Sequence, residues 1–188
     1  MAVIGITGSI SSGKTTASKF ISINNGPLFS ADQIVNKLYK TISFKKIIFK
    51  KFKIKSTSKL KLELKKKIFK DNKNLLKLAK IIHPLVRKKM LIFLRKNRDK
   101  KYLFLEIPLL IENRLMKYFD KIIFIKSAKK NRMKRYKLNG GNVSLFSLLD
   151  NQQIKDSKKM KLCDHIVVNN KSLSILKRNL LNIMKTYE

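Results

Sequence analysis

The stretch Gly8-Ser9-Ile10-Ser11-Ser12-Gly13-Lys14-Thr15 fits the pattern G-x-x-x-x-G-K-[ST]. Its context constrains the chain more than the pattern does. A short apolar, β-prone run over residues 2–6, with Val3, Ile4 and Ile6, precedes it, and a helical stretch from about Lys14 to Ile23 follows. A strand, a glycine-bearing turn and a helix in that order aim backbone N–H groups and a helix N-terminus at one point, the usual way to cradle phosphate oxygens. Thr16 continues the loop into the helix, where it is placed to contact the α-phosphate. Lys14 is placed to bridge β- and γ-phosphates and the Thr15 hydroxyl to ligate Mg²⁺, which makes ATP with Mg²⁺ the expected ligand. The competing reading, a Gly/Ser turn carrying a surface lysine, ignores the strand before it and the helix after it.

Beyond this loop, Asn24-Asn25-Gly26-Pro27 signals a turn and Leu28-Phe29-Ser30 a second short strand. From Asp32 to about Lys100 the pattern is helical: Leu60, Leu64 and Ile68 recur at spacings of four, and Leu75, Leu78, Ala79 and Ile82 at i, i+3, i+4, i+7. Asp71 or Asn72 is suited to cap the second of these helices, and His83-Pro84 predicts its end, with a new helix from Pro84. Buried-strand runs return at 102–107, 122–125 and 165–168, with helices expected near 108–118, 128–137 and 143–161 and a flexible break at Asn139-Gly140-Gly141-Asn142. A last amphipathic helix carries Leu173, Leu176, Leu180, Ile183 and Met184. Strands alternating with helices predict a three-layer α/β fold on a mainly parallel five-stranded sheet, as one domain over residues 1–188.

The charge is extreme: 45 Lys+Arg against 11 Asp+Glu, a net +34. Only seven of the bases are arginine, and the 38 lysines are spread along the whole chain beside abundant Ile, Asn and Phe. A nucleic-acid reader favours arginine and gathers its charge on one face. The lysine excess therefore reads as drift on solvated faces, with non-specific polyanion affinity as a by-product and no specific nucleic-acid partner. The single cysteine, Cys163, forms no intramolecular disulfide and carries no assigned chemistry; it fits a reducing, cytoplasmic setting. The start lacks a basic signal region, and no apolar run reaches the length of a membrane span, so a soluble protein is expected. No oligomeric state is implied.

The helical block after the second strand favours a small-molecule kinase over a switch GTPase, with an acceptor-binding region at about 33–100 and an arginine-bearing lid at about 129–150 that closes over the triphosphate. Asp32, where the second strand ends, is placed either to take the acceptor hydroxyl's proton or to cap a helix.

Separated pieces along the chain then resemble the dephospho-CoA kinase family. Ile6-Thr7-Gly8-Ser9-Ile10-Ser11-Ser12-Gly13-Lys14-Thr15-Thr16 is similar to its T-G-G-I-G-S-G-K-S-T, and Ser30-Ala31-Asp32 to its D-A-D. His83-Pro84-Leu85-Val86 resembles its H-P motif, and Glu106-Ile107-Pro108-Leu109-Leu110-Ile111-Glu112 its D-[IV]-P-L-L-x-E. Gln153 and the run from Cys163-Asp164 to Asn170 resemble its Q and A-D-x-V-I-x-N. The resemblance implies transfer of the ATP γ-phosphate to the ribose 3′-hydroxyl of dephospho-CoA. It makes Asp32 the base, Lys14 and Thr15 the phosphate and Mg²⁺ contacts, the backbone of Ser11, Ser12, Gly13, Lys14, Thr15 and Thr16 the ATP cradle, and Glu106 an acid near metal and acceptor. His83 shapes the acceptor pocket or simply terminates a helix, Glu112 orients basic side chains, and Arg135 with Arg132 supplies the lid arginines unless they are solvated.

The departures are specific. Ser9 and Ser11 replace glycines, which strains the loop wherever φ is positive; Ser30 replaces an Asp, and Glu106 is one methylene longer than the family's Asp. Asn131 and Leu149 occupy arginine positions, Arg135 matches, and Arg132 is one place out of register. Two other readings remain: a kinase for another nucleotide-like acceptor, and a weakened phosphate-loop protein that binds nucleic acid.

Overall fold

A computed structural model describes residues 1–54 and 60–187; the 55–59 stretch of the expected helical block lies outside the described residues. The chain divides into two compact units, Met1–Ser30 with Asn97–Glu188, and Ala31–Lys96.

The first unit is built on a sheet of five parallel strands: β1 Ala2–Thr7, β2 Leu28–Ser30, β3 Tyr102–Glu106, β4 Lys121–Lys126 and β5 His165–Val168, in the order β2-β3-β1-β4-β5. Helices α1 Lys14–Ser22 and α9 Leu173–Lys185 cover one face of it. Ile4, Ile6, Phe104, Ile123, Ile125 and Val167 from the strands close there on Ala17 and Ile21 of α1 and Leu176, Leu180 and Met184 of α9. The strand residues fall in the uninterrupted apolar runs and the α9 residues on the expected periodicity, as for strands buried on both sides. Toward the opposite face Gly5 makes room for others: a Cβ there would stand 2.8 Å from Leu110 and 2.9 Å from Phe119.

Two carboxylates pin the amino-terminal ends of strands. Asp120 accepts from the Val3 N–H at 2.7 Å while its own N–H donates to the Val3 carbonyl, and Asp164 makes the same reciprocal pair with Ile122. Between β4 and β5 lie α6 Lys129–Leu138, α7 Val143–Asn151 and α8 Asp156–Met160.

The second unit is helical: α2 Ala31–Leu38, α3 Ile42–Phe52, α4 Leu60–Lys70 and α5 Lys73–Lys96. Leu60, Leu64 and Ile68 are the buried stripe of α4, at the expected spacing. Asp71 caps α5, its carboxylate accepting from the Lys73 N–H at 2.9 Å.

Three expected boundaries are corrected. α5 runs unbroken through Pro84, because its 24 residues pack against α2 and α4 and that packing outweighs the one backbone bond proline removes. Residues 108–114 form turns rather than a helix, followed by a 3₁₀ turn at Met116–Tyr118. Arg114 adopts φ +52 and the Leu115 N–H reaches back to Leu110, a helix-stop geometry that lets Leu110, Ile111 and Leu115 all point inward. The expected 143–161 helix is split into α7 and α8, because the Ile154 N–H goes to the Glu112 carboxylate instead of up a helix ladder.

Candidate active site

All five strands present their carboxyl ends at one rim, and nearly every buried polar residue of the described chain is there. Thr7, Ser9, Ser12, Lys14, Ser18, Ser30, Glu106, Ser127, Arg132 and Asn169 all follow or end a strand, or belong to the helix that such a loop opens. Burying polar groups costs free energy unless they are paired, so their concentration marks the working end of the sheet.

The phosphate loop lies between β1 and α1. Gly13 takes φ +98 at the N-cap of α1, no side chain caps the helix, and no acid sits in its first turn, so its leading N–H groups suit an anion. A Cβ on Gly13 would stand 2.2 Å from Asn169 Nδ2, which donates to the Ser12 carbonyl at 2.8 Å. Ser11 does adopt a left-handed backbone, φ +56, and so bears the strain expected of a serine there, whereas Ser9 does not. The Ser12 hydroxyl is buried without a partner. Lys14 is buried, its Nζ donating to the Ser9 carbonyl at 2.8 Å. Thr15 and Thr16 are exposed at the start of α1.

Glu106 ends β3 with 1% of its surface exposed. Three hydroxyls donate to it: Thr15 at 2.5 Å, Ser30 at 3.0 Å and Ser18 at 3.4 Å. Ser30 and Glu106 are register partners on β2 and β3, so a shorter side chain on one strand meets a longer one on the other.

From α6, Arg135 donates to the Ser12 carbonyl and the Ser127 hydroxyl, both at 3.2 Å, and to the Asn169 carbonyl at 2.9 Å. Arg132 is buried: it pairs with Asp150 of α7 at 2.5 Å, donates to the Ser127 carbonyl at 3.1 Å and the Ile10 carbonyl at 3.4 Å, and lies 5.6 Å from the Phe146 ring centre. Neither arginine is a solvated surface charge.

Asp32 and His83 belong to the helical unit. Asp32 lies in the first turn of α2, after the position a cap would occupy, and follows Ser30 by two residues along the chain. His83 is inside α5 and terminates nothing; burial, with Arg87 one turn on, lowers its pKa. Glu112 forms a buried ion pair with Lys159 at 2.6 Å, so the base it orients is in α8. Cys163 is half-buried, its thiol pushed up to about 11 by burial and by Asp164, in keeping with no assigned chemistry.

The sequence missed Asp150, Asp156 and Ser127 as members of this rim. Asp156 accepts from the Ser9 hydroxyl. The available signal was scarcity: with 11 acids among 45 bases, each retained carboxylate is a candidate for a fixed partner.

A fully parallel sheet with a phosphate loop after its first strand and arginines from a later helix at the same rim defines a P-loop kinase. The family model for dephospho-CoA kinase matches residues 2–174, and the chain belongs to that family. The dephospho-CoA kinase of Bartonella quintana is 33% identical over 98% of this chain and 97% of its own. Among solved structures, TT1252 from Thermus thermophilus superposes with a TM-score of 0.79 at 24% identity over 98% of this chain and 97% of that one. The dephospho-CoA kinase from Campylobacter jejuni gives a TM-score of 0.66 at 23% identity, covering 100% and 97%. The protein is an ATP-dependent kinase that phosphorylates dephospho-CoA in coenzyme A synthesis. Among the described residues no helix is long and apolar enough to cross a membrane.

Proposed function

We propose that transfer occurs at the carboxyl rim of the sheet and that the ribose 3′-hydroxyl of dephospho-CoA is the acceptor. Asp32 takes the proton of that hydroxyl as its oxygen attacks the γ-phosphorus; the bond to the β–γ bridging oxygen breaks and ADP leaves. Lys14 and the N–H groups of Ser11 to Thr16 hold the triphosphate, and Arg135 neutralises charge on the transferring phosphoryl group. Residues 129–150 act as the lid, and 33–100, including His83, as the acceptor-binding region; exclusion of water by the lid favours transfer over ATP hydrolysis.

The exposed Thr15 hydroxyl and the buried Glu106 carboxylate present an all-oxygen, anionic donor set, which suits a hard divalent cation. Mg²⁺ held by Thr15, with Glu106 behind it, would supply charge neutralisation at the phosphate oxygens. Among the described residues no three His, Cys, Asp or Glu cluster as a metal site. We place the reaction in the cytoplasm, in line with the single unpaired cysteine.

The observation that carries this reading is the Thr15–Glu106–Ser30 chain of hydroxyls and carboxylate beside Lys14. ADP release from Mg·ATP, compared across dephospho-CoA, AMP, CMP, adenosine and no acceptor, tests it. Release that requires dephospho-CoA, with phosphate on the 3′-oxygen, is expected; equal release with AMP or CMP would redirect the acceptor assignment.

A further inference from the structure

Ser9 stands at the second position of the phosphate loop, buried, and three bonds meet on it. Its carbonyl accepts from Lys14 Nζ at 2.8 Å and from the Ser12 N–H at 3.1 Å, and its hydroxyl donates to Asp156 Oδ1. Asp156 is the first residue of α8, 147 positions away in sequence. That short helix is itself anchored. The side chain of Lys159, wholly buried, pairs with Glu112 Oε1 at 2.6 Å and donates to Gln153 Oε1 at 3.4 Å, and Glu112 also receives the Ile154 N–H.

A carboxylate beside a loop built for a polyanion is electrostatically adverse to the ligand. In a chain with four times as many bases as acids, Asp156 is not explained as surface charge. Its geometry supplies the reason. The first half of the loop contains Ser11 in a left-handed backbone, a conformation that strains an L-residue and pulls the loop toward relaxation. A charge-assisted bond to Ser9 opposes that relaxation at the residue whose carbonyl also seats Lys14.

We propose that Asp156 is a positioning residue for the nucleotide, holding the phosphate loop through Ser9 in the shape that presents Lys14 and the backbone N–H groups to the triphosphate. Asp156 touches neither substrate. The Glu112–Lys159 pair fixes the helix that carries it. The serine that replaces a flexible loop residue and the aspartate that receives its hydroxyl form one unit.

This inference rests on the reading of the loop as the ATP site. The test is steady-state kinetics and direct Mg·ATP binding for Asp156→Ala, Ser9→Ala, the double variant and Asp156→Asn, each checked for thermal unfolding. Each alanine variant should raise the KM and Kd for ATP about tenfold, the worth of one charge-assisted hydrogen bond, with a much smaller change in the KM for dephospho-CoA. The double variant should be no worse than either single one. Asp156→Asn, whose amide oxygen still accepts, should recover most of the loss. Additive effects, no recovery with Asn, or an unchanged ATP affinity in Asp156→Ala would overturn the proposal while leaving the ATP site intact. Wild-type protein that binds no Mg·ATP would overturn both. Should Asp156→Ala not fold, Ser9→Ala and Asp156→Asn carry the same test.

Discussion

Across the β2–β3 pairing, the Ser30 hydroxyl donates to Glu106 Oε2 at 3.0 Å, and the two residues are register partners. Glu106→Ala removes the acceptor for the Thr15, Ser18 and Ser30 hydroxyls at once. It should cost about 1–3 kcal/mol of stability and at least ~100-fold in turnover. Glu106→Gln keeps the shape and should lose far less stability while still slowing transfer. Calorimetry beside ADP release separates the two effects, and a Gln variant with wild-type turnover would show that the negative charge is not needed.

Lys14 and Asp32 should fail differently. Lys14→Ala removes the buried ammonium of the loop and should abolish both ATP binding and turnover. Asp32→Asn should leave ATP affinity within about twofold and lower turnover by ~10²–10⁴-fold, the range of a lost general base. Titration calorimetry with Mg·ATP, run beside turnover, distinguishes them; unchanged turnover in Asp32→Asn would remove Asp32 as the base.

Two of the positive-φ residues of the loop, Ser11 and Gly13, should respond in opposite directions. Ser11→Gly relieves a positive φ, and that gain exceeds the added freedom of the unfolded chain by a few tenths of a kcal/mol, so Tm should stay level or rise slightly. Gly13→Ala places a methyl 2.2 Å from Asn169 Nδ2 at φ +98 and should lower both Tm and ATP affinity. A thermal melt of each variant decides it.

His83 makes stability depend on pH. Burial, then Arg87, holds its pKa below the ordinary 6.5. As pH falls through 6.5 the unfolded chain takes up a proton that the folded helix resists, so stability falls from about pH 7 downward and the loss levels off below the folded pKa. His83→Gln should flatten that slope. Tm measured from pH 7.5 to 5 for both proteins tests it; parallel curves would assign the acid sensitivity elsewhere.

What the sequence made legible was local in cause. The apolar runs at 2–6, 102–107 and 122–125 and the Gly/Lys/Thr spacing depend on neighbours within a few residues, and the strands, the loop and α1 appear where those patterns lie. What stayed hidden depends on distant partners. Pro84 reads as a stop until α2 and α4 are seen packed along α5. The split between α7 and α8 exists because Glu112, 42 residues earlier, takes the Ile154 N–H. Asp150 and Asp156 look like ordinary acids until Arg132 and Ser9 are found against them. Ser9 and Ser11 look equivalent in the motif, yet only Ser11 has positive φ, a distinction the backbone path alone makes.

The carboxylates of Asp120 and Asp164 at the amino ends of the strands, and those of Glu106, Asp150 and Asp156 toward the other rim, give this protein an uneven tolerance of mutation. Among the described residues the buried lysines are Lys14 and Lys159, so 36 of the 38 lysines are not buried or lie outside the described chain. A genome under pressure toward lysine can keep adding them to such faces at little cost. The opposite change, an acid lost to lysine, removes a strand pin, a loop tie or the centre of the hydroxyl cluster. Decay of this enzyme in a drifting lineage would therefore register first as vanished acids, long before its rising positive charge became a burden.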